Sequence, residues 1–307
     1  MSETFDFRSV GGVPVVQGDG STTWLFGWVN NPNEVATVQD TLPHPTASST
    51  PVSALALDDL PREVFLWKAF VKLFGKLPPW RNQLQVGSCV SFGTNKAVEH
   101  TMTCEIVAGQ PEEFKDTVQE ITYGGSRVEV GGGRIRGDGS VGAWAADFVR
   151  KWGVVARGVY GNYDLSSYSE STCRKFGSSG VPADLEVEAK LHPVSDVTQV
   201  QTWTDAKKML AAGHGIAICS DQGFTMERDA NGICRASGSW AHCMCLDGYY
   251  VADNGTEYGH ITNSWGPDAH TGPVGRGEAI EARAVDRARN AIKGLLAMAP
   301  EEASVRQ

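Results

Sequence analysis

The sequence predicts an α+β fold in which a helical half precedes a sheet half. Three observations predict it. Helix start and stop signals fall mainly in the first two thirds of the chain. Short strand-like runs separated by turn residues crowd together after residue 214. With 307 residues, 41% hydrophobic and 21% charged, the chain can bury a sizeable core, which excludes bulk disorder.

The elements follow in order. Residues 1–57 are rich in Gly, Pro, Thr, Val and Asn and poor in Lys and Arg, and read as an extended N-terminal arm. Gly11–Val16 and Thr22–Phe26 are candidate short strands within it, and Thr41–Pro51 reads as a linker. Asp58-Asp59-Leu60-Pro61 is a helix-start signal, so 58–76 is read as an amphipathic helix over 61–74 plus a linker, with Gly75 as its stop. The wide apolar stripe of that helix, including Phe65, Trp67, Phe70 and Phe74, would pack on the main domain. Ser88 is placed to cap a helix from Cys89 to before Gly109, buried through Phe92, Ala97, Met102 and Ile106. Helices are also expected over Ser140–Trp152 and over Asp205–Ala212, the latter capped by Thr204 and stopped by Gly213. Gly215–Ser220, Ala241–Val251 and Glu257–Asn263 read as strands, with Asp253-Asn254-Gly255 turning between the last two. Residues 278–298, rich in Ala, Glu and Arg, read as helix again, making 281–307 a C-terminal helix and tail.

Charge and composition exclude several functions. A net charge of −9 argues against a nucleic-acid surface, so no nucleic-acid partner is expected. No apolar run reaches the length of a membrane span, and no membrane association is expected. The first eight residues, Met1 to Arg8, have neither a basic start nor an apolar stretch, so no secretory signal is read there. The expected setting is therefore intracellular and reducing, with seven free thiols. No cofactor is implied: Gly131-Gly132-Gly133 lacks the lysine of a phosphate-binding loop. Arg136-Gly137-Asp138 spells an adhesion tripeptide, a match short enough to arise by chance.

The chemistry sits in two segments. In Gln83–Phe92 a cysteine opens a helix, where the dipole and free N–H groups favour its thiolate. A histidine beside it would pair with that thiolate and later protonate a leaving amine. Gln83, six residues upstream, could aim its amide at the same point as the Cys89 N–H, giving two donors for an oxyanion. Taken alone, Cys89 reads equally well as a buried structural thiol. The second segment shifts that balance: His242 is followed twenty-one residues later by Asn263-Ser264-Trp265-Gly266. An asparagine amide oxygen can fix the imidazole ring. A zinc site at Cys234, His242, Cys243 and Cys245 is the competing assignment, but Asn263 accounts better for His242, and no metal is expected.

This order of residues resembles the papain-like cysteine peptidases over about residues 77–280. The family's first motif is Gln-Gly-x-Cys-Gly-Ser-Cys-Trp-x-Phe, matched here by Gln83, Gly87, Ser88, Cys89 and Phe92. His242 with Gly248 and Tyr249 looks like the family's histidine strand, and Asn263–Gly266 is identical to its third motif. Tyr123–Ser126, Arg136–Val141, Gly153-Val154 and Tyr160–Asp164 continue the likeness. The resemblance implies a two-subdomain fold, a helical half and an antiparallel β half, with the active-site cleft between them. It implies Cys89 as nucleophile, His242 as general base and acid, Asn263 as the group orienting His242, and Trp265 as a shield over their hydrogen bond. It implies an oxyanion hole from Gln83 and the Cys89 N–H. Gly139 and Ser140 would lie along the substrate backbone, and Val141, Cys219, Trp240 and Cys243 near a substrate side-chain pocket. The substrate implied is a peptide or protein.

The chain also departs from the pattern. Val90 replaces the tryptophan after the nucleophile, Asp247 stands where a valine is usual, and Val86 and Gly137 stand where a disulfide pair is common. The region before Gln83 does not look like the family's inhibitory propeptide. Two readings result. One is an active thiol endopeptidase. The other is a papain-fold scaffold in a larger assembly, such as a virus particle or a bacterial complex, in which the arm and the C-terminal helix meet a protein partner. Transglutaminases and cell-wall peptidases with Cys and His generally orient the histidine with Asp or a second His, so Asn263-Ser-Trp-Gly counts against them.

Overall fold

In this computed structural model the described residues are 27–267 and 269–272, with the backbone of five short strands at 5–6, 13–16, 22–25, 279–281 and 295–299. Strand β1 (Phe5–Asp6), the hairpin of β2 (Val13–Val16) and β3 (Thr22–Leu25), α1 (Pro32–Gln39), β4 (Glu63–Phe65) and α2 (Trp67–Phe74) come first. The helical half follows, with α3 (Cys89–Ala108), α4 (Gln119–Gly125), β5 (Ile135–Arg136), α5 (Gly142–Lys151), the hairpin β6 (Val159–Tyr160) and β7 (Tyr163–Asp164), α6 (Glu170–Ser179) and α7 (Ala183–Ala189). The sheet half contains β8 (Asp196–Val200), α8 (Trp203–Ala211), β9 (Ile216–Phe224), β10 (Ile233–Cys234), β11 (Ala236–Val251), β12 (Glu257–Thr262), β13 (Ala279–Glu281) and β14 (Leu295–Ala299). The expected order of a helical half and then a largely antiparallel sheet half is what the chain adopts.

The main sheet runs β10-β13-β12-β11-β9-β14-β8, antiparallel except where β10 meets β13, and β4 adds to β11. Three apolar clusters hold the halves. Val98, Ile121, Trp144 and Phe148 build the helical core. Met209, Leu210, Ile216, Ile218, Met244 and Leu246 build the sheet core. A third cluster joins the two: Cys89, Val90 and Ala145 from helices meet Ala217, Cys219, Ala241 and Cys243 from strands, with Trp28 among them.

Several expected elements are corrected. Residues 58–76 are not one helix: Glu63–Phe65 is a strand, and the helix begins at Trp67. The C-terminal half of β11 would otherwise present an unpaired edge there, and Val64 and Phe65 pair with Tyr249 and Gly248 to cover it. Residues 27–57 are not simply extended. Asn31 accepts the Glu34 N–H as an N-cap, Pro32 takes the first turn, and Val35 and Val38 bury themselves with the helical core. The cap of α8 is Thr202 rather than Thr204, since the Thr202 Oγ1 accepts the Asp205 N–H at 2.9 Å. The expected C-terminal helix fails where it can be seen: Ala279–Glu281 and Leu295–Ala299 are strands, the latter filling the gap between β9 and β8. The remainder of 278–298 lies outside the described residues, as do the arm residues between its strands.

Helix α3 is buried along its first fifteen residues, so it has no solvent face for its polar side chains. Its charged side chains find partners instead. Lys96 Nζ donates to Glu99 at 2.7 Å, Thr117 donates to it through both N–H and hydroxyl, and Arg81 reaches it at 3.3 Å. Burial pushes the Glu99 carboxyl up, but the Lys96 and Arg81 charges with the Lys96 and Thr117 hydrogen bonds outweigh it and hold it at about 2. At the next residue, His100 Nε2 lies 3.1 Å from the buried Asp247 of β11. His260 Nδ1 and the Thr262 hydroxyl complete that carboxylate's partners at 2.6 and 2.8 Å.

Removing the Glu99 carboxylate leaves the buried Lys96 without the carboxylate it pairs with and Arg81 with Asp116 alone. Glu99→Ala is expected to lower stability by about 3–5 kcal/mol in urea unfolding. The stability that Glu99 contributes is present in full above pH 4.5, its unfolded value, and is lost as pH falls through about 2. The variant should therefore show a shallower loss of stability across that acid window than the parent.

Candidate active site

Four segments build the site. The loop Arg81–Ser88 leads into α3, and its first part pairs with the turn after β12. Gln83 N–H donates to Ser264 O at 2.8 Å, Gly266 N–H to Arg81 O at 2.9 Å, and Asn82 bridges Trp265. Gly266 is required there: its φ is +81°, and a Cβ would stand 3.1 Å from the Asn82 amide. Leu84, with φ 52°, turns the loop back, and the Asn82 side chain accepts its N–H at 2.9 Å. Ser88 opens α3 by position, but its hydroxyl faces Tyr168 Oη at 3.1 Å and does not cap the helix.

Cys89 is the first residue of α3 and is wholly buried. His242 lies on β11 opposite Ser220, just after a bulge between Ser239 and His242 that re-aims the strand. Its Nε2 meets Asn263 Oδ1 at 2.8 Å. That oxygen also accepts the Ser264 N–H at 2.7 Å, which fixes which end of the amide faces His242. The Trp265 ring stacks on the imidazole at 4.3 Å, and Trp240 closes on both rings edge-on. Among the described residues Nδ1 of His242 has no hydrogen-bond partner. Nε2 thus carries the proton donated to Asn263, and Nδ1 is left with a free lone pair.

Gln83 is also fully buried. Its Oε1 accepts the Ser264 hydroxyl at 2.6 Å, and one Nε2 hydrogen goes to Val86 O at 3.0 Å, leaving the second N–H to spare. Burial pushes the Cys89 thiol up, and the neighbouring Cys219 adds to this. Burial lowers His242 to about 4 against the pull of Asn263. Both shifts favour the uncharged form, thiol for Cys89 and neutral imidazole for His242.

The same arrangement of helices, sheet and cleft recurs in solved structures. Xylellain, a cysteine protease from Xylella fastidiosa, superimposes with a TM-score of 0.57 at 15% identity, covering 95% of this chain and 96% of that one. The digestive procathepsins L2 and L3 of the Tenebrio molitor larval midgut give TM-scores of 0.56 and 0.54 at 17% identity, covering 95% and 94% of this chain and 85% and 83% of theirs. The fold is papain-like. No protein-family model and no curated protein sequence matches the chain.

The papain-like cleft is not open. Residues 27–29 cross it as a strap. Ser140 N–H donates to Gly27 O and Val29 N–H donates to Ser140 O, both at 2.9 Å, while Trp28 N–H reaches Ala241 O at 3.3 Å. The strap is thus tied to the lead-in of α5 on one wall and to β11 on the other. Trp28, 3% exposed, packs in the cluster of Cys89, Ala145, Cys219 and Cys243.

The expected substrate wall divides accordingly. Ser140 offers both peptide groups to an extended chain, and Cys219 and Cys243 face each other across β9 and β11 with sulfurs 2.8 Å apart. Gly139 does not share this role, because its N–H donates to Tyr123 Oη and its carbonyl accepts from Arg127. Val141 is buried in the helical core, and Trp240 packs on Trp265 and His242. Their size and apolarity suit those cores, which is why sequence alone could not separate them from a pocket wall. The strap residues Gly27 and Trp28 were not foreseen, nor was His270, whose Nε2 lies 3.1 Å from Asn263 Nδ2. The departures are partly explained: Asp247 pairs with His100 and His260, and Val90 joins the cluster under Trp28.

Gly27 is where the strap meets the sulfur. A Cβ there would stand 2.3 Å from Cys89 Sγ and 2.9 Å from Gly87 O. Gly27→Ala is expected to displace the strap and raise the iodoacetamide alkylation rate of Cys89 by at least about 10-fold, the equivalent of one lost hydrogen bond. Peptide mapping by mass spectrometry reads the rate. A rate equal to the parent's would show that the strap does not cover the thiol in solution.

Proposed function

We propose that this protein is a papain-like cysteine endopeptidase that hydrolyses peptide bonds through a Cys89 thiolate and His242, and that residues 27–29 hold it latent. The observation that carries the reading is the 2.8 Å bond from His242 to Asn263 beneath Trp265, which leaves Nδ1 free to take a proton.

The reaction follows from these groups. When the strap leaves, water reaches Cys89 and His242, and the burial that pushes the thiol up and the imidazole down is relieved. The thiol proton passes to His242 Nδ1, and the helix N-terminus and the imidazolium stabilise the thiolate. The sulfur attacks the substrate carbonyl. The Cys89 N–H and the spare Gln83 N–H receive the oxyanion. His242 returns its proton to the leaving amine, a thioester remains on Cys89, and a water deprotonated by His242 releases the acid. Asn263 keeps the ring aimed throughout. Ser140 takes the backbone of an extended peptide through the same N–H and carbonyl that now hold the strap.

Alkylation with a thiol-directed epoxide, read by intact mass, tests the assignment. Cys89 is expected to react first, and faster in Gly27→Ala, and Cys89→Ala is expected to lose the adduct. Hydrolysis of a fluorogenic peptide library should vanish in Cys89→Ala and fall about 10³–10⁴-fold in His242→Ala. Slow, uniform labelling of all seven thiols in both the parent and Gly27→Ala would overturn the reading.

A further inference from the structure

Beyond Asn263 the hydrogen-bond chain continues. The Asn263 amide is satisfied from both sides. Oδ1 accepts from His242 Nε2 and from the Ser264 N–H, while Nδ2 lies 3.1 Å from His270 Nε2. Nδ2 is a donor only, so His270 Nε2 must be the acceptor, with its lone pair toward the amide. The proton of His270 then sits on Nδ1. That nitrogen lies 3.5 Å from Cys234 Sγ, and the ring is hydrogen-bonded to the backbone of Thr225. His270 is 4% exposed, and Arg228 holds its carbonyl at 2.9 Å. The Trp265 ring lies near parallel to both imidazoles, at 4.3 Å from His242 and 6.1 Å from His270.

We propose that His270 is a positioning residue: its neutral Nε2 clamps the Asn263 amide so that Oδ1, and never Nδ2, faces His242. The inference rests on the peptidase reading for its kinetic consequence, though not for its geometry. If the amide turned over, Nδ2 would oppose His242 Nε2–H and the Ser264 N–H, three donors with no acceptor between them. His242 would then shift its proton to Nδ1, the atom that has to receive the Cys89 proton, and the dyad would be disarmed. An acceptor at position 270 makes that turnover costly from the other side, because a flipped Oδ1 would meet the lone pair of Nε2. Burial and the Arg228 charge lower His270 to about 4, so the acceptor persists at neutral pH.

Three variants separate this role from simple packing. His270→Met keeps an unbranched apolar side chain without a comparable acceptor. His270→Phe keeps a ring beside Trp265, and His270→Gln restores an amide oxygen near the place of Nε2. Two readouts are taken on the full chain carrying Gly27→Ala, to free the cleft. The first is the 15N NMR signature of the His242 ring at pH 7. The parent and His270→Gln are expected to show the Nε2–H tautomer, and His270→Met a mixture with Nδ1–H. The second is kinetics on the fluorogenic peptide: kcat is expected to fall about 10-fold in His270→Met with KM unchanged, and His270→Gln to regain most of it. If His270→Met does not fold, His270→Phe is read in its place. A folded acceptor-free variant that keeps a single Nε2–H tautomer overturns the proposal. An unchanged kcat in that variant does the same. If the parent hydrolyses no peptide while the tautomer shifts as expected, the peptidase reading fails and the clamp stands.

Discussion

Helix α3 lies buried along its first fifteen residues, and its ionisable side chains there find charged partners in both halves. Glu99, paired with Lys96 within the helix, ties it to Arg81 and Thr117, and His100 ties it to Asp247 on β11. These bonds set how deep the helix sits and how it is rotated, and so fix where its first residue, Cys89, emerges between the halves. Asp247 is five residues beyond His242 on the same strand, and its 3.1 Å approach to His100 registers the histidine strand against the helix that bears the cysteine. A valine there could fill space but could not set that register.

The second constraint is the stitching of 81–83 to 264–266. It makes the segment that presents Gln83 and the turn that presents Asn263 one unit. The Gln83 and Asn263 amides therefore move together, and the Ser264 hydroxyl on Gln83 Oε1 joins the two segments as well. Against this rigid pair the strap is weakly held, by three backbone hydrogen bonds and one indole.

The candidate site and the fold class were more legible in the sequence than several of the elements around them. Gln83, Cys89, His242 and Asn263 stand out because the Asn263–Gly266 tetrapeptide and the Cys89 segment are short, fixed in spacing and unlike ordinary core patterns. The strand at Glu63–Phe65 was not legible, because Val64-Phe65-Leu66-Trp67 is apolar throughout and carries neither period clearly. Helix α1 is eight residues long with two buried positions, too few for a periodic signal. The C-terminal segment has the Ala and Glu of a helix former, yet Leu295–Ala299 is taken up by β8 and β9. Gly27, Trp28 and His270 have no local signature at all, since each matters only for what the fold sets beside it.

The strap belongs to the chain whose cleft it fills, and it is moored close by: Asn31 caps α1 two residues after Val29, and α1 is docked on α5. Such an occupant never dilutes. Its local concentration is of the order of millimolar or above whatever the amount of protein present. Cutting the chain upstream of residue 27 would leave the strap on its mooring, whereas a cut between Val29 and α1 would leave it on a separate chain held by non-covalent contacts alone. Whether the cleft is occupied therefore depends on covalent continuity over a few residues more than on the strength of the three hydrogen bonds that hold the strap.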